Sequence, residues 1–150
     1  MEWSSGHLDV AGHSLEYACW GPSPGTAPTL VLLHEGLGSV GLWRDWPAQL
    51  AEATGYGVLA YSRAGYGRSS AATLPRPTDY MSIEAETVLG PVMDATGVTS
   101  AVLLGHSDGA TIAAIYAGSV SDMRVRGLIL MAPHFYCEPI GCEAIRRAKT

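Results

Sequence analysis

No stretch of this 150-residue chain has the length and apolarity of a membrane span. Nor is there a block of Lys and Arg of the kind that nucleic acid requires: 9 basic residues stand against 14 acidic ones, a net charge of −5. The start, Met1-Glu2-Trp3-Ser4-Ser5, lacks the charged head and apolar run of a secretory signal. A cytoplasmic protein with no membrane or nucleic-acid partner is therefore expected. Cysteine is scarce and odd in number. Cys19, Cys137 and Cys142 are expected to be free thiols in a reducing compartment. No second Cys/His pair joins Cys137 and Cys142 to complete a zinc site, and neither metal nor cofactor is expected. Internal repeats and low-complexity tracts are absent as well. Charged residues are only 15% and apolar ones 47%, which excludes a disordered chain and suits one globular domain with a real core.

What is present is organised around Ala101-Val102-Leu103-Leu104-Gly105-His106-Ser107-Asp108-Gly109-Ala110, continued by the alanine-rich Thr111 to Ala117. An apolar run of strand length meets Gly-His-Ser-Asp-Gly and goes on as a helix. This is the strand–turn–helix context in which G-x-S-x-G forms a nucleophile elbow. Gly105 and Gly109 have no side chain to keep strand and helix apart. Ser107 then stands at a helix N-terminus, where free backbone N–H groups and the positive dipole end gather.

Upstream, residues 7–10 and 14–20 flank Gly12 as an antiparallel pair. Thr29 to Leu33 is a continuous apolar run, as a strand buried on both faces requires. The glycine-rich His34-Glu35-Gly36-Leu37-Gly38-Ser39 follows it. A helix is predicted from about Asp45 or Pro47 to Thr54, with Trp46, Leu50 and Ala53 on one face. Val58 to Tyr61 is the next strand and leads into Ser62-Arg63-Ala64-Gly65-Tyr66-Gly67-Arg68-Ser69. Thr78 or Asp79 starts a helix that reaches Thr96, with Met81, Ala85, Val88 and Val92 as its buried stripe. Pro91 is expected to kink it and Gly97 to end it. In the helix after Ser107, the small residues Gly109, Ala113 and Ala117 are expected to face the sheet. Gly127 to Met131 is the last strand, and Glu143 to Lys149 begins another helical pattern. From residue 29 onward strands alternate with helices, which predicts a parallel, doubly wound α/β sheet.

The three glycine turns, each after a strand, together resemble the alpha/beta-hydrolase family over about Leu15 to Ala132. His34 to Ser39, with Trp43 after it, resembles the family's His-Gly oxyanion turn. Ser62 to Ser69 resembles its Asp-x-Pro-Gly-x-Gly-x-Ser loop, and Gly105 to Gly109 its elbow. The resemblance implies an alpha/beta-hydrolase-type, mostly parallel sheet. It also implies a serine hydrolase acting on a carboxylic ester or related acyl substrate, with Ser107 as nucleophile. The oxyanion would be held by the N–H of Asp108 and by that of Gly36, with Leu37 as the alternative. His34 is expected to be a structural hydrogen-bonding group. Asp108 is expected to cap the helix start rather than serve as the triad acid. His106 should point away from Ser107. Trp43, Trp46 and Tyr66 are candidates for an acyl pocket, or for core and rim packing.

Three features depart from the family pattern. Glu35 replaces a glycine and Ser62 an aspartate. More seriously, the family takes its acid and histidine from later strands and loops, in the order serine, acid, histidine. Downstream of Ser107 the only histidine is His134, placed early in the fold, where it resembles a cap-entrance or strand-end packing residue. Glu138 lies on a loop from which some members draw their acid, and it also reads as a solvated carboxylate. Both are secondary candidates for base and acid. The chain is thus expected to be the N-terminal part of one hydrolase domain, lacking the last strands, with residues from about 137 to 150 beginning a cap or lid. Its last strand is expected to be a bare sheet edge, inviting self-association or a complementing C-terminal polypeptide. A non-catalytic ligand- or protein-binding member of the fold and an inert fragment are the competing expectations. The same elbow also serves carbon–carbon bond cleavage and acyl transfer.

Overall fold

The computed structural model describes residues 3–149. β1 (Trp3–Val10) and β2 (His13–Trp20) form an antiparallel hairpin. Its two-residue turn has φ of 50° at Ala11 and 79° at Gly12, the left-handed pair that matches the twist of a tight hairpin. β2 then pairs antiparallel with β4 (Gly57–Tyr61). β4, β3 (Thr29–Leu33), β5 (Ala101–His106) and β6 (Val125–Met131) run parallel. The sheet order is β1-β2-β4-β3-β5-β6, so β3 and β4 are central and β6 is an edge.

The apolar run of β3 is continuous because both faces of the sheet are covered. Val31 and Leu33 pack with Leu59, Tyr61 and Leu103 on one face, Leu30 and Leu32 with Val58, Ala60 and Leu104 on the other. Each of these valines and leucines contributes roughly 1.5–3 kcal/mol when fully buried. On the second face lies α1 (Trp46–Thr54), preceded by a 3-10 turn at Val40–Trp43 that carries no expectation from the sequence. Its buried residues are Pro47 and Ala51, flanked by Trp46 and Leu50, whereas the expected Ala53 is exposed. The first face carries α2 (residues 80–95) and α3 (Asp108–Ser119).

In α2, Ala85, Val88 and Val92 are buried and Met81 packs against them, as the periodicity predicts. The disturbance expected of Pro91 is taken up as a π-helical turn over Glu84–Leu89. Proline has no N–H to give to the carbonyl of Thr87, and its ring crowds that carbonyl, so a wider turn precedes it. In α3, Gly109 and Ala113 are buried but Ala117 is exposed; Ile112 and Tyr116 fill the interface instead. The last helix, α4, spans Pro139–Ala148, starting four residues earlier than the pattern from Glu143 suggests. Pro139 supplies that start, because a first-turn proline gives up no helical hydrogen bond.

Candidate active site

The site is built where β5 turns into α3. Ser107 has φ 53° and ψ −116°, a left-handed backbone that residues with a Cβ rarely adopt. Such strain costs on the order of 1–3 kcal/mol and persists only where the surroundings over-determine it. Here the Ser107 N–H donates to the Met131 carbonyl at 2.8 Å, tying the turn to the end of β6. The Ser107 carbonyl accepts from the N–H groups of Ala110 (3.0 Å) and Thr111 (3.1 Å). A Cβ at Gly105 would overlap the carbonyl of Gly109, and one at Gly109 would overlap the carbonyl of Leu33. Both glycines are therefore required by backbone contact across the turn.

The side chain of Ser107 meets His134, with Oγ and Nε2 2.7 Å apart. His134, expected first as a cap-entrance or strand-end packing residue and only secondarily as a base, is thus brought against the serine. β6 lies beside β5 in parallel, with Met131 opposite His106, so the segment leaving β6 crosses the elbow. His134 is held there through its backbone. Its N–H donates to Thr111 Oγ1 at 2.7 Å, and that hydroxyl lies 3.2 Å from the His134 carbonyl oxygen. The imidazole is 54% exposed, and its Nδ1 has no hydrogen-bond partner among the described residues. The Glu138 carboxylate makes no hydrogen bond or ion pair among them either. It is exposed at the N-terminal boundary of α4.

Asp108 does not cap α3 through its side chain, contrary to expectation. Its carboxylate accepts from the Tyr80 hydroxyl at 2.7 Å. It lies 3.8 Å from the Arg63 guanidinium and 3.6 Å from His134 Nε2. The neighbouring charge of buried Arg63 outcompetes a local backbone cap. Burial, then the bond to Asp108, pushes the Tyr80 phenol up to about 12, so it stays a donor. Asp108 approaches the same imidazole nitrogen that faces Ser107, so it is not placed as a triad acid, in keeping with the sequence argument.

Among the turn residues, Leu37 donates its N–H to the Glu35 carboxylate at 2.8 Å, and Gly38 donates to the Glu35 carbonyl at 3.0 Å. The N–H groups of Gly36 and Asp108 make no hydrogen bond among the described residues. A Cβ on Gly36 would lie 3.2 Å from the Asp108 carboxylate, so the two turns are in contact. Glu35 thus takes the Leu37 donor out of use. Ser62, in the family's aspartate position, accepts from the Val40 N–H and donates to Glu16. The carboxylate comes from β2 instead. A cavity of about 320 Å³ opens beside this turn, lined by His34, Glu35, Leu42, Trp43 and His106 among others. Trp43 stacks on Trp46 at 5.4 Å, while Tyr66 packs on His34 and beneath Arg76.

His34 is the structural group expected of it. The Arg63 N–H donates to its Nε2 at 3.0 Å, which leaves Nδ1 as the donor to the Glu35 carbonyl at 2.7 Å. Burial, reinforced by the Arg63 charge, lowers its pKa from 6.5 to about 3. Between those values the unfolded chain binds a proton that the folded chain does not. Stability should therefore fall as the pH drops below about 6.5, by up to about 1.4 kcal/mol per unit. Above that pH both states are neutral and the effect vanishes. Urea denaturation at pH 7 and pH 5 should show a larger loss for the native chain than for His34→Gln; equal losses would contradict it.

Arg63, Tyr80 and Thr111 carry no motif signal as partners of this site. Thr111 alone was accessible by spacing, since it stands four residues after Ser107 on the same helix face.

Fold and site together define a doubly wound α/β protein whose chemistry-bearing residues gather at the carboxyl ends of parallel strands. The chain belongs to the alpha/beta-hydrolase family: the family model described as alpha/beta hydrolase fold matches residues 28–144. It is 36% identical over 104 residues to a (lyso)-N-acylphosphatidylethanolamine lipase of Bos taurus, covering 69% of this chain and 30% of the lipase. It is 31% identical over 115 residues to epoxide hydrolase 3 of Siraitia grosvenorii, covering 75% and 34%. The chain thus spans about a third of the length of these curated relatives. Among solved structures, a membrane phospholipase A described as a bacterial virulence factor superposes with a TM-score of 0.81 at 26% identity, over 97% of this chain and 46% of that one. No helix among the described residues is long and apolar enough to cross a membrane.

Proposed function

We propose that this chain carries the nucleophile of a serine hydrolase that cleaves a carboxylic ester or related acyl substrate through an acyl-enzyme. The contact of Ser107 Oγ with His134 Nε2, on a strained elbow, is the observation that carries this reading. Ser107 attacks the substrate carbonyl carbon while its proton passes to Nε2, which requires the imidazole tautomer protonated on Nδ1. The oxyanion is received by the free N–H groups of Asp108 and Gly36, each worth roughly 3–4 kcal/mol in the transition state. The proton returns from His134 to the leaving alkoxide, and water then repeats the sequence on the acyl-enzyme. The Asp108 carboxylate, 3.6 Å from Nε2, favours the transient imidazolium. With no acid on Nδ1, the described residues form a Ser–His pair rather than a triad. Of the relatives' names, lipase agrees with acyl chemistry, whereas epoxide hydrolase names the opening of an epoxide by the same family.

A small fluorophosphonate should label Ser107, read by intact mass and peptide mapping, and Ser107→Ala should abolish labelling with the fold intact by circular dichroism. Labelling elsewhere, or unaltered labelling of the variant, would refute the assignment.

We further read the region from about 137 to 150 as the start of a cap, in a cytoplasmic protein. Helix α4 has no buried residue, and Ile140 and Ile145 are exposed on it. The outer side of β6 pairs with no strand among the described residues, and Leu128 and Ile129 are 40% and 45% exposed. Such an edge recruits another strand. Self-association of the purified chain should therefore appear in light scattering. A stable monomer at high micromolar concentration, with amides 128–131 strongly protected from exchange, would mean the edge is covered from within.

A further inference from the structure

Cys137 and Cys142 stand apart from the proposed chemistry, yet their sulfurs lie 3.0 Å from each other. Both are free thiols; Cys137 is exposed and Cys142 partly so. A separation of five positions does not bring side chains together on a continuous helix. The helix start does it here. Glu138 is the boundary residue of α4 and Pro139 its first residue, so Cys137 is the residue before the boundary and Cys142 the fourth helical position. These are the positions that a hydrophobic staple joins across a helix N-terminus. The Cys142 N–H donating to the Glu138 carbonyl at 3.1 Å fixes that first turn. Two thiols therefore occupy a place where the fold itself presses side chains into contact, in a solvent-open position.

We propose that Cys137 and Cys142 are a redox-active dithiol pair that closes to an intramolecular disulfide by exchange with a small-molecule disulfide such as oxidised glutathione. The Cys137 thiolate attacks one glutathione sulfur, forming a mixed disulfide and releasing one glutathione thiolate. The Cys142 thiolate then attacks the Cys137 sulfur, forming the intramolecular bond and releasing the second glutathione. The protons of the two protein thiols end on the two glutathiones, so the protein is oxidised by two electrons and the glutathione disulfide is reduced. Cys137 is the entering thiol because it is the more exposed, and contact with Cys142 makes the second step intramolecular and fast. The bond clamps the strap that leaves β6. Thr111 holds the strap's upstream end at His134, and the disulfide would staple its downstream end to α4.

The test is titration of the native chain with mixtures of oxidised and reduced glutathione, followed by non-reducing peptide mapping. We expect a species lighter by two hydrogens, with Cys137 joined to Cys142 and Cys19 still a thiol. Amide exchange over residues 138–143 should slow by roughly tenfold or more on oxidation, since closing a loop removes its local opening. In Cys142→Ser the reaction should stop at a Cys137–glutathione adduct, with exchange unchanged. Persistent glutathione adducts on the native chain, disulfide-linked dimers, or a disulfide that leaves exchange over 138–143 unaltered would overturn the proposal. None of these readouts involves Ser107, so they are independent of the hydrolase assignment.

Discussion

Replacing His134 by alanine should slow fluorophosphonate labelling of Ser107 by about 10²–10⁴-fold, the usual contribution of a positioned general base. The effect should exceed that of any other substitution that leaves Ser107 in place. Among the described residues Ser107 has no other imidazole within hydrogen-bond reach, and Asp108 faces Arg63 and Tyr80 as well as His134. The pH profile separates a chemical role from a merely structural one. Labelling of the native chain and of His134→Ala should differ in pH dependence, because only the native chain has a base in contact with Ser107. Rates that differ by less than threefold, with the same pH profile, would mean that the contact in the structure is not used. The elbow would then await a base from another segment or another chain. Circular dichroism is a sufficient control, because the imidazole is more than half exposed and its removal leaves no cavity.

Gly109→Ala should destabilise the domain by about 3 kcal/mol or more, read from the shift in the urea midpoint. The added methyl would have to share space with the carbonyl groups of Leu33 and His34. Those atoms end β3, whose residues are all buried, so neither partner can retreat without opening the core. Gly118 in the same helix supplies the comparison. A Cβ there meets nothing within 4 Å, so Gly118→Ala should leave stability unchanged or raise it by about 0.5–1 kcal/mol through helix propensity. Equal effects of the two substitutions would show that α3 does not sit against β3 as described. Gly109→Ala should also remove Ser107 labelling, because the strained serine is held in place by the close approach of α3 to the sheet.

The sequence by itself determined the fold class and the position of the elbow. The reason is that both depend on local and periodic features. An apolar run such as Thr29 to Leu33 can be satisfied only by a strand covered on both faces. A serine between Gly105 and Gly109, after a strand and before an alanine-rich helix, leaves the backbone few other turns. The burial of Ala85, Val88 and Val92 followed from helical spacing alone. Tertiary structure decided what meets what across the sheet. Nothing local to Pro133-His134-Phe135 shows that His134 reaches Ser107, since that contact follows from β6 lying parallel beside β5. Asp108 was misread as a cap because its true partners, Arg63 and Tyr80, come from segments 45 and 28 positions away. Cys137 and Cys142 read only as free thiols, and their contact was not legible because it depends on a helix starting at Pro139, between them. The N–H of Leu37, the alternative to Gly36, is engaged by a single bond within its own turn, the one to the Glu35 carboxylate. Periodicity reports which face of an element is buried. Which side chains converge on Ser107 is set by strand order, and strand order is a property of the whole sheet.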